Sequence, residues 1–107
     1  MRPKLKATGT RGSWFAEADG ESLPCVHKHW LQGRRYYDPN LKPGKPSWDK
    51  FVTAIAEGGK VILTKGDHLG GTKFRRTGYI AIWSVENVQF SDSGLTFDMV
   101  ARLEDFA

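Results

Sequence analysis

The most constraining stretch of this chain is its last third, where two alternating segments flank a tight turn. From Thr77 to Phe90, Tyr79, Ala81, Trp83 and Val85 fall on one side of an extended chain and Ile80, Ile82 and Ser84 on the other. Both sides are partly apolar, as expected of a central strand or one bent through a barrel corner. Ser91 to Gly94 has turn composition, and beyond it Leu95, Phe97, Met99, Ala101 and Leu103 alternate with Thr96, Asp98 and Arg102. That second pattern predicts a strand with one wet face. A long antiparallel hairpin is therefore expected at the heart of the fold.

Upstream, Ser13 to Ala18 and Leu23 to Leu31 predict two strands around the Asp19–Gly20 turn pair, and Gly33 to Asp38 extends the sheet or begins its exit. Pro39, Pro43, Gly44 and Pro46 make residues 38–46 a loop. Trp48, Phe51, Val52 and Ile55 recur at i, i+3, i+4 and i+7, which predicts an amphipathic helix over about 48–57. Ser47 is placed to cap it, Asp49 suits the positive end of its dipole, and Gly58–Gly59 stops it. Lys60 to Thr64 reads as a buried strand and Lys65 to Lys73 as a glycine-rich loop.

These elements predict an α+β, mainly β fold: a small curled antiparallel sheet or open barrel of about five to six strands, with the single helix plugging its apolar opening. A chain of 107 residues fits one domain, here 13–107, preceded by a flexible basic arm over 1–12. Four tryptophans are more than a core of this size usually holds, so some are expected at a surface, groove or interface.

Cys25 is the only cysteine, which excludes an intramolecular disulfide. The opening residues lack the apolar stretch of a secretory signal, and no run approaches the length of a membrane span. A reducing cytoplasm is the expected compartment, with no membrane partner. The net charge of +4 is uneven. Residues 1–79 are strongly basic, whereas beyond them Glu86, Asp92, Asp98, Glu104 and Asp105 face the single base Arg102. A basic body of this kind attracts nucleic acid or another polyanion over long range, and the same charge also serves solubility.

Three constellations could carry chemistry. Trp30, Arg34, Arg35, Tyr36 and Tyr37 mix bases with rings, as do Lys73, Phe74, Arg75, Arg76 and Tyr79. Guanidinium forks pair with phosphates and rings stack on unpaired bases, so the two stretches would form a basic, aromatic-lined groove if the fold brings them together. The alternative places Tyr36, Phe74 and Tyr79 in the core or at its rim and pairs the arginines with acids. Second, Cys25, His27 and His29 would share one face of a strand and are ligand types for zinc or another transition metal, with Asp38, Asp67 or His68 as a fourth ligand. Otherwise Cys25 packs in the core and the histidines line a polar face. Third, residues 65–72 are glycine-rich but lack the spacing and following helix of a phosphate-binding loop. Asp67 and His68 could form an acid/base pair, but no nucleophile motif accompanies them.

Residues 61–103 resemble the second half of PUA-like domains of the EVE and ASCH type. The matching stretches are Val61 to Thr64, Gly78 to Val88 and the closing strand Leu95 to Leu103. The resemblance implies a small β-barrel that binds RNA or a modified nucleobase in a cleft, often stacking the base on an aromatic ring. The leading expectation is a small non-catalytic module binding nucleic acid or a nucleotide-like ligand through Trp30, Arg34, Arg35, Tyr36, Tyr37, Lys73, Arg75, Arg76 and Tyr79, without a cofactor. The alternatives are a protein–protein interaction or inhibitory module anchored by tryptophans, and a metal-binding protein or small hydrolase using Cys25, His27 and His29.

Overall fold

A computed structural model describes residues 7–8, 14–18, 20–70 and 73–106, apart from the side chains at 7, 8, 68, 73 and 74. The strands are β1 (Ala7–Thr8), β2 (Phe15–Ala18), β3 (Glu21–His27), β4 (Leu31–Gln32), β5 (Arg35–Asp38), β6 (Lys60–Gly70), β7 (Lys73–Ser91) and β8 (Gly94–Asp105). A 3-10 turn (Lys28–Trp30) follows β3, and the helix α1 (Pro46–Gly58) joins β5 to β6. The fold is α+β and mainly β. Its strands form one open sheet in the order β1-β2-β3-β6-β7-β8-β5-β4. Among the described residues no helix is long and apolar enough to cross a membrane.

One pairing departs from the antiparallel expectation. β3 and β6 run parallel, with Cys25, Val26 and His27 opposite Ile62, Leu63 and Thr64. A parallel neighbour needs a crossover. After β3 the chain passes to the far edge of the sheet as β4 and β5, and α1 then carries it back to the centre.

The helix closes one face. Phe51, Val52 and Ile55 are buried with Val26, Tyr36, Leu41, Val61, Leu63, Val85, Leu95, Phe97 and Met99. Each large apolar side chain buried there contributes roughly 1.5–3 kcal/mol. Trp14 meets Phe51 edge-on, with ring centroids 4.9 Å apart. A smaller core lies apart from this one and gathers Ala16, Ala18, Leu23, Cys25, Ile62, Ile82 and Phe106. All four tryptophans are half-buried against the helix-side core, so none stands out as a free surface anchor.

Helix α1 starts two residues earlier than its apolar stripe. Lys45 occupies the N-cap and Pro46 the first turn, where a missing N–H costs nothing. Ser47 therefore lies inside the helix, and Asp49 Oδ1 instead accepts the Gly44 N–H at 3.3 Å. Gly59 ends the helix at φ 65°, its N–H bonded to the Ile55 carbonyl.

The region 65–73 is not the loop its glycines suggest. β6 and β7 remain paired out to Gly70 and Lys73, so the central hairpin projects as a two-stranded ribbon. Register shifts at Leu63/Thr64 and Lys65/Gly66 keep it irregular. A bulge reverses which residues face inward. Hence Ile80, Trp83 and Val85 pack on the helix-side core while Tyr79 and Ile82 join the other, in place of strict alternation. Of residues 1–12, expected as a flexible arm, only Ala7 and Thr8 are described, and they pair with Ala18 and Glu17. The rest of that expectation lies outside the described residues.

Candidate functional site

The parallel pair fixes the site. His27 ends β3, and directly opposite it on β6 stands Thr64, fully buried. Thr64 Oγ1 lies 3.2 Å from the Val26 carbonyl and 2.8 Å from His27 Nδ1. The backbone of His27 also hydrogen-bonds the Tyr36 phenol. Both the ring and the main chain of His27 are thereby tied to the core. Immediately after it, the 3-10 turn presents Lys28 and His29, and β6 continues past Thr64 into Lys65 and the bulged Gly66. Together His27, Lys28, His29, Lys65 and Gly66 line an open cleft of about 290 Å³. Its lining carries two ammonium groups and two imidazoles and no carboxylate. Such a lining favours an anion over a cation.

The histidine string and the glycine-rich segment, read separately in the sequence, thus meet. Thr64, Lys65 and Gly66 are not legible as site residues in the sequence because only the parallel pairing brings them to His27. The available signal was Lys28 itself, a cation held between two histidines.

The three proposed metal ligands part company. Cys25 is buried in the smaller core, and burial pushes its thiol up to about 11 despite the nearby Arg76 guanidinium. A metal requires the thiolate. His29 sits in the 3-10 turn with its ring edge-on to Trp30, centroids 4.7 Å apart, so the strand period does not extend to it. Among the described residues no group of three His, Cys, Asp or Glu is placed to hold a metal.

The basic aromatic stretches also separate. Arg35 pairs with Asp98 at 2.9 Å, and Asp98 is in turn opposite Glu86 on β7. Arg75 and Arg76 lie opposite Asp67 and Gly66, ten or more residues back along β7. That is roughly 30 Å measured along the strand, although β5 also touches the 3-10 turn of Lys28 and His29. At the first location Arg34 Nη1 donates to the Val100 carbonyl at 2.8 Å, and the exposed Tyr37 hydroxyl donates to the Ser93 carbonyl at 2.9 Å. Tyr36 is no ligand platform. It is 2 % exposed and stacks on Phe97 at 4.6 Å, its phenol held far above its ordinary pKa first by burial and then by the Asp38 charge. Trp30 is half-buried against the helix-side core.

At the second location Arg75 binds Asp67 through two hydrogen bonds, 2.7 and 3.2 Å, on an exposed surface. Arg76 donates to the Tyr79 hydroxyl at 3.0 Å and lies 3.8 Å from Cys25 Sγ. The side chain of Lys73 is outside the described residues, as are those of His68 and Phe74. Arg76 is paired in register with Gly66, so this half of the basic set adjoins the cleft. Comparison with protein-family models, curated proteins and solved structures finds no match for this chain.

Proposed function

We propose that this protein is a small nucleic-acid-binding module that draws a phosphate backbone into the cleft of His27, Lys28, His29, Lys65 and Gly66. The observation that carries the reading is the composition of that lining: four groups able to bear positive charge, and no acid. The ribbon extends the same chemistry, since Arg76 pairs with Gly66 and Arg75 follows it on the exposed surface. The Arg75–Asp67 pair is solvent-exposed and worth little, so a phosphate can displace the carboxylate at small cost. Arg34, Arg35 and Tyr37 do not line the cleft, and their hydrogen bonds brace β5 against β8 and the turn before it. The resemblance of residues 61–103 to PUA-like domains points in the same direction, toward RNA. A reducing cytoplasm suits the free Cys25.

Fluorescence anisotropy with short labelled RNA and single-stranded DNA at low and moderate salt tests the proposal. Binding is expected at low salt, weakened by Lys28→Ala and Lys65→Ala and indifferent to Arg35→Ala. No binding at low salt, or full binding by the Lys28→Ala/Lys65→Ala double variant, overturns it.

A further inference from the structure

Two imidazoles on one cationic cleft are more than phosphate binding needs. Lysines alone neutralise a backbone. Moving a proton onto one oxygen while removing one from another needs a base and an acid side by side, and imidazole is the side chain suited to both near neutral pH. His27 is also held in a way that a solvated surface histidine is not. When the buried Thr64 hydroxyl donates to the Val26 carbonyl, its oxygen accepts the His27 Nδ1–H, which leaves the lone pair on Nε2. The same arrangement persists after Nε2 takes up a proton, because Nδ1 donates in both states. In that tautomer Nε2 is the basic nitrogen, and Nδ1 keeps Thr64 as its partner once the imidazolium forms.

From these features we infer that the cleft cleaves RNA by intramolecular transphosphorylation, with His27 as general base and His29 as general acid. The inference rests on the nucleic-acid reading of the cleft given above. His27 Nε2 removes the proton of a ribose 2′-hydroxyl, and the 2′-oxygen forms a bond to the adjacent phosphorus. The bond from phosphorus to the 5′-oxygen of the next nucleotide breaks, its electron pair staying on that oxygen, which takes a proton from His29. The products are a 2′,3′-cyclic phosphate and a free 5′-hydroxyl, and no co-reactant enters. Lys28 and Lys65 supply the positive charge that the phosphorane-like transition state demands. His29 is exposed in the 3-10 turn, open to an outward-moving leaving group. Thr64 is a positioning residue, since it touches His27 and lies fully buried.

The test incubates a short mixed-sequence RNA, and its all-2′-deoxy analogue, with the full chain and a chelator, and reads products by mass spectrometry. Wild type should cut RNA to fragments ending in 2′,3′-cyclic phosphate and bind the deoxy analogue without cutting it. His27→Gln and His29→Gln, purified in parallel, should each lower the cleavage rate by about 10²-fold or more, well beyond any loss of affinity for the analogue. His29→Gln is the variant that leaves the core untouched. Thr64→Val should lower kcat with little change in KM, and Thr64→Ser should restore it. Binding of RNA without cleavage overturns this inference and leaves the binding module standing, as does equal cleavage by both histidine variants or cleavage of the deoxy analogue. Absence of any binding overturns both readings.

Discussion

His27 Nδ1 lies 2.8 Å from Oγ1 of Thr64 across the parallel β3–β6 pair. Thr64 has no exposed surface, so its hydroxyl has only protein to bond to, and it serves the Val26 carbonyl as well as the imidazole. Replacing it by valine keeps the shape and removes both bonds. Thr64→Val is expected to destabilise the protein by about 1–3 kcal/mol, because a buried carbonyl loses a donor. Thr64→Ser should recover most of that. Urea unfolding midpoints of the three proteins measure the difference, and equal midpoints would show that the hydroxyl contributes nothing.

The glycines separate into those that touch backbone and those that do not. A Cβ at Gly94 would collide with the Asp38 carbonyl, and its φ of 119° is closed to other residues. Gly94→Ala should cost about 2 kcal/mol or more and loosen the β7–β8 turn. A Cβ at Gly66 would run into the Arg75 carbonyl, so Gly66→Ala should pry the ribbon open and weaken anion binding at the cleft it lines. Gly58, in the last turn of α1, faces open space. Gly58→Ala should therefore stabilise the protein by about 0.5–1 kcal/mol. Thermal or urea melts of these variants should show opposite signs for Gly58→Ala and Gly94→Ala.

What could be read in the sequence follows from how local the physics is. The helix stripe of Phe51, Val52 and Ile55 and the alternation of Leu95, Phe97 and Met99 are consequences of neighbouring residues alone, and both faces pack as their periods require. Tyr36 was within reach by the same rule. Residues Arg35 to Asp38 alternate out, in, out, in, so a two-residue period puts Tyr36 and Asp38 inside and the flanking Arg35 and Tyr37 outside. Composition, two arginines beside two tyrosines, pulled the other way. The ribbon was hidden because Gly66 is used for close backbone approach to Arg75 and not for a turn. The cleft was hidden because it depends on which strand lies beside β3. No local signal marks a parallel partner that returns only after three intervening elements and the 3-10 turn.

Cys25 gives the fold an alkaline weakness. Its thiol is pushed up to about 11 by burial, and Tyr36 is displaced upward for the same reason. In the unfolded chain the thiol ionises near its ordinary value of 9.0. Between these values the folded state holds a proton that the unfolded state has released, so stability is complete below pH ~9 and declines as pH rises toward ~11. Over that window the thiol's share is about 2–3 kcal/mol. Cys25→Ala should flatten the decline while leaving the part due to Tyr36, and urea midpoints across the alkaline range test this. The same protonation makes Cys25 slow toward thiol reagents in the native protein at pH ~8 and fast once it is unfolded.

Salt separates the cleft from the basic cluster on β5. Each phosphate neutralised on a single strand releases counterions, so the logarithm of affinity falls against the logarithm of salt with a slope of about −0.7 per contact. Lys28 and Lys65 line the cleft, and removing either should lower affinity across all sequences and shallow that slope by about 0.7. Arg35 is engaged with Asp98, whose second oxygen accepts Asn87 Nδ2 at 3.2 Å, and it sits roughly 30 Å of strand from the ribbon. Arg35→Ala should leave both affinity and slope unchanged while weakening the β5–β8 contact by no more than about 1 kcal/mol, as an exposed pair does. Anisotropy titrations at several salt concentrations give all three slopes. A slope that changes for Arg35→Ala and not for Lys28→Ala or Lys65→Ala would move the interface from the root of the ribbon to the β5–β8 edge.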